Sequence, residues 1–147
     1  MNDSIITEFL TAMRDITRLQ TRQYRSIGND YGITAVDVSI LLFLHNNPTK
    51  DSASDIVELR RIPKGNVSMS IDNLSSKGFI EVYPDTSDKR RKHIRLTEES
   101  SPVIERTLQM YRSFSDIFQF EDDAFMETMR KIINAGAKAA EILGDNR

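Results

Sequence analysis

The feature that most constrains the fold is a helix pattern that stops at a glycine and leads into two short strands. One helix face is defined by apolar residues spaced four and three apart: Val67, Ile71 and Leu74. The helix would run from about Lys64 to Lys77, and Gly78 is typical of the position just past a helix end. Two β-prone segments, 79–83 and 93–96, then flank a polar stretch with four consecutive cations. The pattern predicts a helix followed by a β-hairpin with a basic tip.

Two helix-start signals precede this unit. Thr34 and Asp37 stand three residues apart, as do Ser52 and Asp55, and a hydroxyl residue followed by an acid at this spacing typically begins a helix. Pro63 suits the first position of the next helix, because that position needs no backbone N–H. Helix, short helix, turn, helix and hairpin in this order form a winged helix-turn-helix.

Long amphipathic helices are predicted on both sides of this region, and Thr97 is expected to cap the first of the two C-terminal ones. Seven apolar residues near the chain ends exceed what a small winged-helix core needs: Ile5, Phe9, Met13, Ile132, Ile133, Ile142 and Leu143. These residues either pack among themselves in a monomer or form a homodimer interface. We favour the homodimer, since a two-fold protein on two DNA half-sites follows from the motif.

The predicted fold class is therefore mainly α with a small β-hairpin. Residues 1–33 would form the N-terminal helix of a dimerisation region, and residues 34–97 the winged helix-turn-helix. Residues 98–147 would form C-terminal dimerisation helices, all within one compact chain.

Charge is distributed unevenly along the sequence. The chain has 20 Lys and Arg against 22 Asp and Glu, but residues 60–95 contain nine of these cations and four of the anions. A nucleic-acid binder needs only a local positive footprint, because phosphates are attracted by the cations that reach them. The alternative is that the run from Lys89 to Lys92 is only a solvated hairpin tip, as many charged runs are.

Composition argues against several other classes of protein. There is no cysteine, which removes disulfides and thiolate chemistry, and two separated histidines make a metal site within one chain unexpected. We find no phosphate-binding glycine loop and no candidate catalytic cluster, so neither a cofactor nor an enzyme is expected. The sequence starts without a signal-peptide pattern and has no run of 18 apolar residues, so we expect a cytoplasmic protein without membrane contact.

The sequence resembles the MarR family of bacterial transcription regulators. The resemblance is strongest in the predicted helix and hairpin, and it covers nearly the whole chain. Asp88 and Arg90, followed by a strand that ends in Leu96-Thr97, fit the family's Asp-x-Arg wing pattern. The helix matches the family's recognition-helix frame at Val67, Ile71, Leu74, Lys77 and Gly78. The resemblance implies that Asp88 pairs with a wing arginine to fix the loop, while Arg90 or Arg91 approaches the minor groove.

Candidate DNA contacts follow from the same resemblance. On the helix they are Lys64, Gly65, Asn66, Ser68, Met69 and Ser70, and on the wing Asp88, Lys89, Arg90, Arg91 and Lys92. Met69 and Val82 stand where arginine is common in the family, so Asn66 and the two serines would do more of the base reading. Met69 could contact a thymine methyl group, or it could fill a gap under the hairpin. The serines could also be ordinary exposed helix residues.

The function expected from these observations is that of a homodimeric regulator of transcription that binds double-stranded DNA by sequence and acts as a repressor. The resemblance further implies release by a small aromatic or anionic effector, bound between the dimerisation helices and the DNA-binding lobe. The alternative function is a winged-helix protein-interaction module that has lost DNA reading, which Met69 and Val82 motivate.

Overall fold

The computed structural model describes residues 3–118 and 122–144, apart from the side chains at positions 118 and 143. The predicted role of Leu143 therefore lies outside the described residues. These residues fall into two compact units, Met1–Met110 and Tyr111–Arg147. The helices are α1 (Asp3–Tyr31), α2 (Ala35–Asn46), α3 (Ala53–Arg60), α4 (Lys64–Ser76), α5 (Ser101–Phe118) and α6 (Asp123–Gly144), and the strands are β1 (Ile80–Pro84) and β2 (Lys92–Leu96). The mainly α winged-helix fold class is thus confirmed.

Both predicted helix starts are present as reciprocal caps. The Thr34 hydroxyl accepts a hydrogen bond from the Asp37 N–H at 3.1 Å, and the Asp37 carboxylate accepts one from the Thr34 N–H at 2.8 Å. Ser52 and Asp55 repeat the arrangement at the start of α3, with distances of 3.2 and 3.1 Å. Each cap satisfies backbone donors that have no partner inside the helix.

Two predicted helix starts need correction. Pro63 is the residue before α4 rather than its first residue, and α4 begins at Lys64. Thr97 precedes a short 3₁₀ turn, Glu98–Ser100, and its side chain makes no cap there. Because the Thr97 N–H bonds to the Phe79 carbonyl as the hairpin ends, the hydroxyl is directed to the nearby Gly78 carbonyl instead.

The core of the first unit surrounds α2, whose residues from Asp37 to Leu44 are all buried. The C-terminal turns of α1 pack there through Tyr24 and Ile27. Gly28 permits a tight connection to α2, because a Cβ atom at this position would lie 2.5 Å from the Ile33 carbonyl oxygen. This packing fixes the element against which the helix-turn-helix is built.

Among the described residues, no single helix is long and apolar enough to cross a membrane. Helices α1 and α2 reach the length and apolar composition of a membrane span only when taken together, and the pair is bent by 96°. The apolar residues of α2 are those of the buried core.

Candidate nucleic-acid interface

The helix-turn-helix consists of α3 and α4 joined by three residues. Arg61, the first of them, adopts the left-handed conformation with φ of 52°. A positive φ is uncommon for a residue other than glycine, and here it turns the chain sharply after α3. Gly78, with φ of 78°, turns the chain again at the other end of α4. These two positions set the ends of the predicted recognition helix.

One face of α4 is buried and the other is open. Val67, Ser70 and Leu74 are the buried residues. The predicted contacts on the open face are all exposed: Lys64, Gly65, Asn66, Ser68 and Met69. Met69 is 72% exposed, so the reading of this residue as filler beneath the hairpin is wrong.

Ser70 differs from the other predicted contacts of α4. It is only 5% exposed because it lies in register with Val67 and Leu74 on the core side of the helix. Its prediction as a DNA contact is therefore corrected, and the open face carries one serine of the predicted pair, Ser68.

Polar contacts to neighbouring elements hold α4 in place. The amide of Asn73 donates to the buried Asp37 carboxylate at 2.8 Å, which joins α4 to the start of α2. At the end of α4, the Lys77 ammonium donates to the Gly32 carbonyl at 2.7 Å. Both contacts span distant parts of the sequence, so they fix the helix in the tertiary fold.

The wing is the antiparallel hairpin of β1 and β2, with residues 85–91 as its tip. The strands pair from Ile80 opposite Leu96 to Pro84 opposite Lys92. Ile80 and Ile94 are buried, and the Ile94 N–H donates to the Asp51 carbonyl at 2.7 Å. The hairpin is thereby attached to the connection that precedes α3.

Asp85 organises the wing tip. One oxygen of its carboxylate, Oδ1, accepts hydrogen bonds from the Ser87 N–H, the Ser87 hydroxyl and the Asp88 N–H, at 2.8, 2.7 and 2.9 Å. The other oxygen, Oδ2, lies 2.8 Å from Nε2 of His93. The hydrogen bond with His93, followed by those from Ser87 and Asp88, lowers the pKa of Asp85 well below its ordinary value.

Asp88 does not play the part that the family resemblance implied. Its carboxylate accepts from the backbone N–H of Arg90 at 3.0 Å, and its carbonyl accepts from the Arg91 N–H at 2.9 Å. Within the described parts of the chain, no ion pair joins Asp88 to an arginine. The carboxylate and the carbonyl of Asp88 thus each accept one backbone N–H, and together they close the turn.

Some cations of the basic segment serve the fold. Arg60 donates to the Ser39 hydroxyl at 2.7 Å, Lys77 bonds to Gly32, and Arg95 pairs with Glu81. Six others are exposed and form no ion pair with any residue that the structure describes: Arg61, Lys64, Lys89, Arg90, Arg91 and Lys92. Four of the six belong to the predicted wing contacts. Within residues 60–95, the positive charge available to a partner is thus concentrated at the wing.

The open face of α4 and the wing meet at one groove. It has a volume of about 300 Å³, and its lining includes Ser68 and Asp72 of α4 together with Val82 and Lys92 of the hairpin. The groove therefore brings one predicted helix contact, Ser68, together with one predicted wing contact, Lys92, and the other predicted contacts do not line it. In the described residues, no group of three or more His, Cys, Asp or Glu side chains could hold a metal ion.

A sequence model of the MarR family matches residues 31–91, which extend from the end of α1 into the wing tip. The match covers 61 of the 147 residues, so over this segment the chain is similar to the MarR family. Members of the MarR family are transcription regulators and not enzymes. The matched segment contains α2, α3, α4 and β1, which include the helix-turn-helix and the first strand of the hairpin.

Three solved structures have a similar fold. The DNA complex of Staphylococcus aureus MepR matches with a TM-score of 0.71 at 20% identity, covering 89% of this chain and 97% of that one. The transcription regulator MarR from Oenococcus oeni PSU-1 matches with a TM-score of 0.70 at 14% identity, covering 88% and 98%. Staphylococcus aureus MarR in complex with salicylate and kanamycin matches with a TM-score of 0.69 at 19% identity, covering 98% and 95%.

The sequence reasoning missed the cluster of Asp51, His93 and Asp85. A local signal existed for part of it, because Asp85 followed by Thr86 and Ser87 is a typical turn in which the carboxylate bonds to the next residues. No local signal identifies Asp51 as a partner, since it stands 42 residues before His93. Only the packing of the hairpin beside α3 brings these side chains together.

Proposed function

We propose that this chain is a member of the MarR family: a homodimeric, sequence-specific DNA-binding transcription regulator that acts as a repressor and is released by a small-molecule effector. The observation that carries the DNA-binding part is the shared groove of Ser68 and Lys92. It joins the polar face of α4 and the cationic wing into one surface. Such a surface suits a major groove and the phosphates beside it.

Each part of this surface has its own role in the proposal. The exposed side chains of Asn66 and Ser68 read base edges, and Met69 contacts a thymine methyl group. Arg90 or Arg91 enters the adjacent minor groove, where a narrow A·T-rich segment attracts guanidinium groups. Asp88 supports the wing backbone and makes no direct contact with phosphate.

The dimer is supported by the unburied apolar face of α1. Seven large apolar residues of this helix are each between 38% and 62% exposed: Ile5, Ile6, Phe9, Leu10, Met13, Ile16 and Leu19. Helix α6 also carries exposed Met126, Ile133 and Ile142. Apolar patches of this extent usually belong to an interface. We propose that residues 1–33 and 98–147 supply it, while residues 34–97 bind DNA.

The proposed effector is small and aromatic or anionic. A structural neighbour, Staphylococcus aureus MarR, has been solved with salicylate. For this chain, the effector would favour a dimer whose two recognition helices are wrongly spaced for DNA, because a ligand shifts a population only by binding one state more tightly.

A protein-interaction module is the second candidate function. The exposure of Met69 and of Val82, 72% and 36% respectively, favours it, since apolar groups on an open surface suit a protein partner. Absence of DNA binding by the folded protein would support this alternative.

Replacing both wing arginines tests the DNA-binding proposal. Arg90→Ala with Arg91→Ala is expected to weaken DNA binding and to reduce the slope of log affinity against log salt by about 2 units, roughly one per lost phosphate contact. Fluorescence anisotropy with a duplex selected by the wild-type protein measures both quantities. Arg22→Ala with Arg25→Ala, a matched loss of two exposed arginines on α1, is the control. An unchanged slope in the wing variant would exclude the wing as a DNA contact.

Gly65 offers a separate test of close approach by α4. Apart from its own stretch of helix, a Cβ atom at this position meets no atom of the described residues within 4 Å. Gly65→Ala is therefore expected to raise the free energy of unfolding by about 0.5 kcal/mol, since alanine favours a helix. DNA affinity should nevertheless fall, because the methyl group occupies the space between the helix and the DNA.

Urea denaturation measures the free energy of unfolding of Gly65→Ala, and anisotropy measures its DNA affinity. Ser75→Ala, at an exposed position near the other end of α4, is the control for a gain in helix propensity alone. If Gly65→Ala binds DNA as tightly as the wild type, the start of α4 does not approach the duplex.

A charge placed in the apolar face of α1 tests the dimer. Phe9→Asp is expected to convert the dimer to monomer at micromolar concentration, because the carboxylate would be buried without a partner. Sedimentation velocity measures the change. Thr11→Asp adds the same charge on the opposite side of the helix and should remain dimeric. If the wild-type protein sediments as a monomer, the proposed binding of a dimer to two DNA half-sites is excluded.

A further inference from the structure

We propose that His93 is a positioning residue for the wing: as an imidazolium bridged between Asp51 and Asp85, it fixes the basic tip relative to the helix-turn-helix. The proposal rests on the proposed DNA-binding function. Nδ1 of His93 lies 2.9 Å from Oδ1 of Asp51, and Nε2 lies 2.8 Å from Oδ2 of Asp85. The ring thus joins two carboxylates that come from different parts of the fold.

The geometry defines the protonation state that the bridge needs. A neutral imidazole has one N–H donor and one nitrogen lone pair, so one of its two nitrogens would face a carboxylate oxygen without a proton between them. The imidazolium donates from both nitrogens and satisfies both carboxylates. It also forms charge-assisted hydrogen bonds, which are stronger than neutral ones.

The two partners of His93 belong to structurally different places. Asp51 lies immediately before the capped start of α3, and its carbonyl already receives the N–H of Ile94. Asp85 holds the tip through its three hydrogen bonds with Ser87 and Asp88. The backbone contact attaches β2, whereas the His93 bridge reaches the turn that carries the wing cations. Loss of the bridge would leave the strands paired and release the tip.

The surroundings of the ring favour the same arrangement. The side chain of His93 is 19% exposed and stacks on Tyr83, with 5.5 Å between ring centroids. Arg95, which pairs with Glu81, lies over the Tyr83 ring, 5.4 Å from its centroid. Other charged groups of the adjoining segments are Lys50, Asp55 and Arg91. The pKa of Asp55 is lowered mainly by its hydrogen bond from Ser52, and less by the positive charges of Lys50 and Arg91.

The bridge has a definite direction of pH dependence. The hydrogen bonds with Asp85 and then Asp51 raise the pKa of His93 above its ordinary value. The stabilisation is therefore complete below the ordinary histidine pKa and is lost as pH rises through the raised one. For Asp85, whose pKa is lowered, the contribution is present above the ordinary value and is lost as pH falls through the lowered one. The bridge is intact between these limits.

Removal of the Asp51 side chain distinguishes positioning of the wing from simple electrostatic attraction between protein and DNA. Deleting a negative charge near a DNA-binding surface should tighten binding if only charge matters. If the bridge positions the wing, Asp51→Ala should instead weaken binding by about tenfold, the equivalent of one charge-assisted hydrogen bond. Glu58→Ala deletes an exposed negative charge of α3, the helix that Asp51 precedes, and it should bind as tightly as the wild type or more tightly. Binding by Asp51→Ala that equals or exceeds that of the wild type would overturn the proposal.

A pH series tests the histidine itself. Anisotropy at constant ionic strength, from about pH 6 to about pH 9, uses a labelled duplex selected by the wild-type protein. Wild-type affinity should fall as pH rises, while His93→Gln should bind about tenfold more weakly at low pH and show no such fall. His45→Gln removes the other histidine, which is exposed on α2, and should keep the wild-type profile. A wild-type profile in His93→Gln would contradict the proposal.

Amide exchange distinguishes failure of this proposal from failure of the DNA-binding function. In the free protein, NMR should show faster exchange at Ser87 and Asp88 in Asp51→Ala and His93→Gln than in the wild type, with unchanged exchange in α2. Folded wild-type protein that binds no duplex at any pH would reject the proposed function, and unchanged exchange at the tip would reject positioning by His93. If His93→Gln does not fold, as a thermal melt would show, Asp51→Ala alone decides.

Discussion

The buried carboxylate of Asp37 is the interaction on which the position of the recognition helix depends. It is 1% exposed, and its Oδ2 accepts both the N–H of Thr34 and the amide of Asn73. One side chain thus begins the core helix α2 and holds α4 against it. Its other oxygen, Oδ1, is buried without a hydrogen-bond partner among the described residues, so the two bonds to Oδ2 are the ones that hold this carboxylate in place. With Val67, Ser70 and Leu74 buried on the same helix, the side of α4 that carries Asn66, Ser68 and Met69 is exposed.

The acidic composition of the chain is compatible with DNA binding because some cations of residues 60–95 bond to protein groups while others stay exposed. Arg60, Lys77 and Arg95 bond to protein groups, whereas the cations of the wing tip are exposed. Asp85, although acidic, lies inside the tip and turns its carboxylate toward backbone donors and His93. Its charge therefore organises the turn that presents the cations.

Local features of the sequence were sufficient for much of the fold. The caps at Thr34 and Ser52 and the stop at Gly78 depend on groups within a few residues, so their patterns predicted α2, α3 and the end of α4 correctly. Ser70 was placed wrongly because its spacing from Val67 and Leu74, which puts it on the core side, was given less weight than the polarity of a serine. The bridge of His93 to Asp51 depends on packing between distant segments, and no local pattern encodes it.

Affinity for duplexes selected from a random pool, followed by anisotropy across a salt series, tests the central claim most directly. A dimer that reads DNA with α4 and the wing predicts a selected site with two related half-sites about one helical turn apart. It also predicts a slope of log affinity against log salt of several units, near −0.9 for each phosphate contacted. Weak binding with a flat salt response and no enriched sequence would contradict the account.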